Sequence, residues 1–470
     1  MLDNGEFRKA AEKIKKLLKS TKINERERLR LRINEGNVYC RLKQGEKALA
    51  HVEKLIEEIN DEKYYEEFIL ALIAKSNALY SLSHYIETQE IIEEALIYFD
   101  NLTDEKKENL QIIKGELLLR KSYCFYQVGN FSETESLTKE ALNIFDKIDY
   151  SIGIADAFCN LGLVERNVDK AIEYLEESLA IYKDLKNDFQ CAIIYHYLGR
   201  KYNSKGEPYR ALEYMNKSLP MIYDINDDYR VGVTLFHMAP ILIEIGEYDK
   251  AKEYALKCLD SFEKLGSIAT IGMVYFHLTR IALYQGDIDE AIRRKNTLFD
   301  LRKRFQNPNY YRIQYDLLDA LILMNSKKST DLDKAEEIFR ELKQEDNLPW
   351  VHRFEIDYYL CEILLLKYQK TNQPELLEEI DLLSQELVNF GDIRGSSRLK
   401  INGYNLRLLT LFVRNQNNDS SIDTNEAKIL LNNLYKLAEK SGLNTSLDKF
   451  VLQYVELMNE NQAWIEFMQK

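Results

Sequence analysis

Six times along this chain a small residue is followed, twelve positions later, by a second one: Gly36 and Ala48, Ser76 and Thr88, Ser122 and Thr134, Gly199 and Ala211, Ala239 and Ala251, Thr279 and Ala291. A seventh pair, Gly162 and Ala171, is nine apart, because LGLVERNVDKA carries a turn three residues shorter than LGRKYNSKGEPYRA. Restoring those three residues turns the 37-residue step from Thr134 to Ala171 into the 40 seen from Ala171 to Ala211, Ala251 and Ala291. A fixed period of this size belongs to stacked supersecondary units. Two antiparallel helices packed about 8–10 Å apart leave no room for a large side chain where they cross, so each pair of small residues predicts one helical hairpin.

Larger apolar residues around the small ones fill the remaining space. In the clearest unit Tyr195, Leu198 and Tyr202 share one face of a first helix. Tyr209, Leu212, Met215 and Leu219 share one face of the second, and Gly206 lies in the turn between them. That spacing makes both helices amphipathic, so every hairpin must bury its apolar face against the next.

The ends follow the same logic. Gly5-x-Phe7-x-x-Ala10, with Ile14, Leu17 and Leu18 on one face, matches the opening of a second helix, and the step from Ala10 to Ala48 is 38. This segment reads as an N-terminal cap with Lys9, Lys13, Lys15, Lys16 and Lys19 turned outward, since terminal repeats need a polar outer side. If Met1 is the true start, no helix-turn-helix or catalytic domain precedes the array, and any output passes through a bound partner. The second-helix pattern returns less regularly at Ala335, at Leu377 in place of alanine, and at Ala427, whose helix ends at the expected C-cap Gly442. Asn415 to Asn425 is polar and rich in turn formers, which predicts a loop. Ser446 to Met468, with Phe450, Leu452, Val455, Leu457, Trp464 and Phe467, reads as a C-terminal cap helix. The expected organisation is a regular array over 1–306 and irregular hairpins with the second cap over 307–470.

Six prolines and 18 glycines in 470 residues give little turn punctuation, which favours long helices over many strands. A net charge of −13, from 64 basic and 77 acidic residues, argues against general affinity for nucleic acid or an anionic membrane. The six cysteines contain no CxxC pair and fall mostly in apolar helical stretches, as expected of buried reduced thiols in a cytoplasmic protein. There is no GxxxxGK[ST], no GxGxxG after a strand, no HExxH and no GxSxG. A non-catalytic chain without a cofactor is therefore expected. His237 and His277 occupy equivalent places 40 residues apart, with His196 offset by one. A zinc site needs three or four ligands, and no accompanying Cys or carboxylate pattern is present, so no metal is expected.

The stretch YHYLGRKYNSKGEPYRALEYMNKSL, with its Leu-Gly, Tyr, Gly, aromatic-x-x-Ala and small-Leu marks, resembles a tetratricopeptide repeat. The match is strong from about Asn34 to Phe305. Its period of 40 in place of the common 34 is similar to the repeats of kinesin light chain, of Leu-Gly-Asn repeat proteins and of bacterial peptide-pheromone receptors. The resemblance implies an all-α, right-handed superhelical solenoid of about ten antiparallel hairpins with an unpaired helix at each end. It also implies that the first helices line a concave groove. The residues facing it would be Asn34, Asn37, Arg41, Asn77, Tyr80, Arg120, Tyr123, Tyr126, Asn160, Arg166, His196, Arg200, Asn203, His237, His277, Arg280 and Tyr284.

Acids on the same face are fewer, chiefly Glu116, Asp156 and Glu244. Asn pairs with a peptide backbone and Arg with carboxylates, so the groove suits an extended, acidic peptide. The lysines of the chaperone-binding carboxylate clamp found in some tetratricopeptide proteins are absent. The leading expectation is a scaffold or adaptor binding a peptide segment of another protein. The alternative is a peptide-responsive sensor in which Asn309 to Lys470 forms a second partner surface.

Overall fold

The computed structural model describes residues 7–441, apart from 43, 226, 304–310, 327, 346–347, 349 and 418–423. Every regular element among the described residues is an α-helix. In order these are α1 (Phe7–Leu18), α2 (Glu25–Arg41), α3 (Gly45–Glu58), α4 (Tyr65–Ser81), α5 (Tyr85–Asp100), α6 (Asp104–Asn109), α7 (Gln111–Gln127), α8 (Phe131–Lys147), α9 (Ser151–Val164), α10 (Val168–Asp184) and α11 (Asp188–Lys205). There follow α12 (Pro208–Ile225), α13 (Asp228–Glu244), α14 (Tyr248–Leu265), α15 (Ile268–Tyr284), α16 (Ile288–Arg302), α17 (Arg312–Ser326), α18 (Ser329–Lys343), α19 (Trp350–Thr371), α20 (Pro374–Arg394), α21 (Ser397–Asn417) and α22 (Thr424–Ser441).

Among the described residues nine pairs from α2/α3 to α21/α22 pack as hairpins, a tenth, α11/α12, closes where Gly199 meets Ala211 and Met215, and α1 precedes them. α1 buries Ala10 and Ile14 against Val38 and exposes Lys9, Lys13, Lys15 and Lys16, with Lys19 exposed just beyond its end. Asn24 shows how a helix start is fixed. Its side chain accepts from the Glu27 N–H at 2.8 Å while Glu27 accepts from the Asn24 N–H at 2.9 Å, a reciprocal capping box.

All fourteen small residues of the seven pairs are buried. A Cβ added to Gly199 would lie 2.5 Å from Met215 Cγ and 2.9 Å from the Ala211 carbonyl oxygen. One on Gly162 would meet Leu175 Cγ at 2.7 Å and the Ala171 oxygen at 3.0 Å. The glycines therefore set the closeness of the crossing, and the partner alanine supplies the backbone that approaches. The step from Thr88 to Thr134 is 46, six more than the period, and the six-residue α6 is the insertion that accounts for it. Ala335, Leu377 and Ala427 are buried in α18, α20 and α22, so the later hairpins continue the plan with first helices of up to 22 residues.

The described residues fall into two compact units, one drawn from Met1–Leu198 with Pro220–Ile225 and the other from Gly199–Leu219 with Asn226–Lys470. The boundary read from sequence at 306/307, the C-cap Gly442 and the cap helix over 446–468 lie outside the described residues, as does most of the loop read over 415–425. Asn417 closes α21, and Thr424 and Asn425 open α22. Among the described residues no helix is long and apolar enough to cross a membrane.

Phe145 of α8 shows what the small residues allow. Its ring is fully buried, with Gly115 of α7 on one side and Gly153 of α9 on the other; a Cβ on either would come within 2.5 Å of the ring. Phe145→Ala should cost about 3–5 kcal/mol, and Ile97→Ala, on an exposed face, no more than about 0.5 kcal/mol. Urea denaturation followed by circular dichroism reads the difference; equal midpoints would refute this account of the packing.

Candidate functional site

Contacts between successive first helices recur, α2 with α4, α7 with α9, α13 with α15, α15 with α17 and α19 with α21. No comparable set joins successive second helices among the described residues. In a curved stack the helices that crowd together lie inside the curve, so the first helices carry the inner face of each unit.

In the first unit that face is bonded from rung to rung. Asn77 Nδ2 donates to Asn37 Oδ1 at 2.9 Å, one repeat away, and the Arg120 guanidinium donates to Asn77 Oδ1. Glu116 lies 3.9 Å from the same guanidinium. Gln127 Nε2 donates to the Tyr80 hydroxyl at 2.7 Å. Burial pushes the Tyr80 phenol up to about 12, and pushes Tyr123 well above the ordinary tyrosine value; both feel Tyr197, and Tyr123 also feels Tyr80.

Asp156 of α9 accepts a 2.5 Å hydrogen bond from the Tyr182 hydroxyl of α10. It keeps some accessible surface yet is ringed by protein. Burial lifts its carboxyl to about 6; the Tyr182 bond, Arg120 and Arg41 oppose the rise, and Glu116 reinforces it.

In the second unit Arg280 of α15 pairs with Glu355 of α19 at 2.6 Å. Burial would raise Glu355, but Arg280, the 3.4 Å contact with His352 Nδ1 and Arg398 outweigh it and hold the carboxyl down at about 2. Burial would likewise lower Arg280, and Glu355 reverses that. Two histidines beside this pair are kept neutral. Burial takes His237 and His277 down to about 3, helped by Arg200 at the first and Arg280 at the second. His237 Nδ1 is 2.8 Å from the Val233 carbonyl. His277 is 7% exposed, and its Nδ1 has no hydrogen-bond partner. Further along, the Tyr284 and Tyr359 hydroxyls are 3.2 Å apart, and Tyr248 stacks on Tyr284 at 5.8 Å. Burial lifts Glu362 to about 7, with a Tyr358 hydrogen bond opposing.

Several residues read from the sequence as groove-facing do other work. Asn160 is fully buried and donates to Ser122 Oγ at 2.6 Å and Thr138 Oγ1 at 3.1 Å, so it ties α9 to the preceding hairpin. The small polar residues of one repeat leave room for it and bond it. Arg166 is in the turn after α9, because the shortened hairpin ends that helix at Val164. His196 is buried beside Tyr197. Arg280 is matched within the chain by Glu355 rather than left for a ligand carboxylate.

Asn34, Arg41 and Arg200 are exposed on their helices, Tyr126 packs on Phe131 at 5.9 Å, and the Asn203 side-chain oxygen is buried without a hydrogen-bond partner. The sequence reading missed Tyr182, Tyr197 and the contribution of α19. A signal for α19 was present, since Glu355, Tyr359 and Glu362 follow i, i+4, i+7 on one helical face.

No protein-family model matches the chain, and no curated protein matches it in sequence. Solved structures do match. A Rap protein complexed with competence and sporulation factor is 14% identical with a TM-score of 0.56, over 80% of this chain and 99% of that one. The apo form of the quorum sensor NprR from B. thuringiensis is 13% identical with a TM-score of 0.50, over 82% of this chain and all of that one. At such identities the likeness is one of fold. The fold is a tetratricopeptide-type helical solenoid. Its two inner faces carry side chains that are hydrogen-bonded, largely charge-matched and rich in tyrosine.

The shifted groups give opposite pH signatures. Between about pH 3 and 6.5 the unfolded chain binds more protons at His237 and His277 than the folded one, so their contribution to stability is lost on acidification through that window. Asp156 binds its proton more readily when folded, so its contribution falls as pH rises from about 4 to about 6. Asp156→Asn should therefore stabilise the chain at pH 7 by on the order of 1–2 kcal/mol, with no gain at pH 4. The wild-type-minus-variant difference in urea midpoint across pH 4–7 checks this; a pH-independent difference would refute it.

Proposed function

We propose that this chain is a non-catalytic peptide-binding protein that holds an extended segment of a partner along the inner face of its helical repeats, as an adaptor or scaffold. The observation that carries the reading is the Asn37–Asn77–Arg120 ladder, one polar residue from each of three successive hairpins on the face inside the curve. Such a row can exchange its internal hydrogen bonds for bonds to a peptide backbone without leaving buried polar groups unmade. The surface is preorganised by the stacked hairpins, so the ligand alone must be ordered.

A second reading, a peptide-responsive sensor, has its own support. The matched solved structures are of a Rap protein complexed with competence and sporulation factor and of a quorum sensor. We also place the chain in the cytoplasm, where thiols stay reduced. All six cysteines are unpaired, and burial pushes Cys124 up to about 11 and Cys258 to about 12.

An acidic ligand remains our reading, on a narrower basis than a list of groove arginines alone provides. Arg280 is neutralised by Glu355, so Arg200, exposed beside neutral His237, would meet a ligand carboxylate. Binders selected from a random peptide library and titrated by calorimetry provide the test. Asn77→Ala and Arg200→Glu should each weaken the selected peptides at least about fivefold, roughly 1 kcal/mol. Ile97→Ala, on an exposed face, should leave affinity unchanged. Binders indifferent to both inner-face changes would move the site elsewhere and sink the proposal.

A further inference from the structure

Within the second unit, two turns far apart in sequence are in contact. The Ser396 hydroxyl, between α20 and α21, donates to the Ser204 carbonyl of α11 at 2.9 Å, across 192 residues. Arg398, in the first turn of α21, pairs with Glu244 at the end of α13 at 3.0 Å. Gly206, in the α11–α12 turn, lies so close that an added Cβ would be 2.6 Å from the Arg398 backbone nitrogen.

Each side of this contact is shaped by its own local structure. Gly206 has φ +87, and the turn is held by Glu207, buried and paired with Lys205 and Arg210 at 3.1 Å each. On the other side Gly395 has φ +69, and the Ser396 N–H donates to the Gly391 carbonyl at 2.8 Å, with Ser396 and Ser397 buried. Gly129 and Gly286 occupy the same turn of other hairpins at φ +79 and +77, and a Cβ on either would meet nothing within 4 Å.

We propose that these contacts form a clasp that closes the second unit on itself. Arg398 is held there by Glu244 in direct contact, and the Ser396 hydroxyl and the close approach of Gly206 fix the two turns against each other. The clasp is a property of the free chain and does not rest on the peptide-binding reading.

Amide exchange of the full-length chain without ligand tests it. Gly206→Ala strains the turn and collides with Arg398, whereas Gly286→Ala strains the equivalent turn alone. The first should speed exchange over 396–400 at least about tenfold, and the second should leave it unchanged. Arg398→Glu should act like Gly206→Ala, and adding Glu244→Arg should restore slow exchange, which separates loss of the clasp from misfolding. If Gly206→Ala and Gly286→Ala behave alike and the charge swap restores nothing, there is no clasp. If they differ and the swap restores slow exchange, the clasp stands, and peptide binding is untouched by either result.

Discussion

Everything in this structure depends on how closely two helices of a hairpin can approach. A glycine, alanine, serine or threonine at each crossing lets backbones come near enough for long side chains from neighbouring helices to pass over them and interlock. Phe145 between Gly115 and Gly153, and Met215 against Gly199, are direct products of that approach. Because the same crossing recurs every 40 residues, each hairpin is placed on the last by the same geometry. A surface of repeated rungs then follows without any long-range instruction in the chain.

That repetition explains why inner-face residues bond one another. Asn37 and Asn77 are 40 apart in sequence and hydrogen-bonded in space; Arg120 extends the row by one more hairpin. The same principle failed to forecast Asn160, because a motif alignment assigns a position to a face but not to a depth. Two residues before a crossing glycine, and opposite Ser122 and Thr138, an amide side chain gains two hydrogen bonds by turning into the helix packing. Arg166 was misplaced for a simpler reason: a turn three residues shorter moves the helix end, and the residue that would have been on the helix is in the turn.

The hairpins, their spacing and their buried small residues were legible in the sequence because they are local and periodic. The inner-face chemistry was legible only in part. A list of arginines and asparagines carries no information about which of them already has an internal partner, and Arg280 finds its carboxylate 75 residues onward, in a helix where the motif had faded. Tyr182 reaches Asp156 from the second helix of its hairpin, where a rule about first helices does not look. The ionisation of Asp156, His237 and His277 depends on which groups surround them in space, which sequence spacing alone does not supply.

Matching the inner charges has a physical consequence for recognition. An ion pair such as Arg280–Glu355 adds little net stability, because taking both charges out of water costs nearly what their attraction returns; removing one partner is far more harmful than never having either. Such pairs fix which side chains face each other. A ligand approaching this face cannot gain much by simple charge attraction at Arg280, since it must first compete with Glu355. It gains where neutral histidine and tyrosine can be covered without stripping water from a charge. On the peptide-binding reading, selectivity on such a surface comes from the order of polar rungs and aromatic rings along the ligand, with a carboxylate placed to meet Arg200.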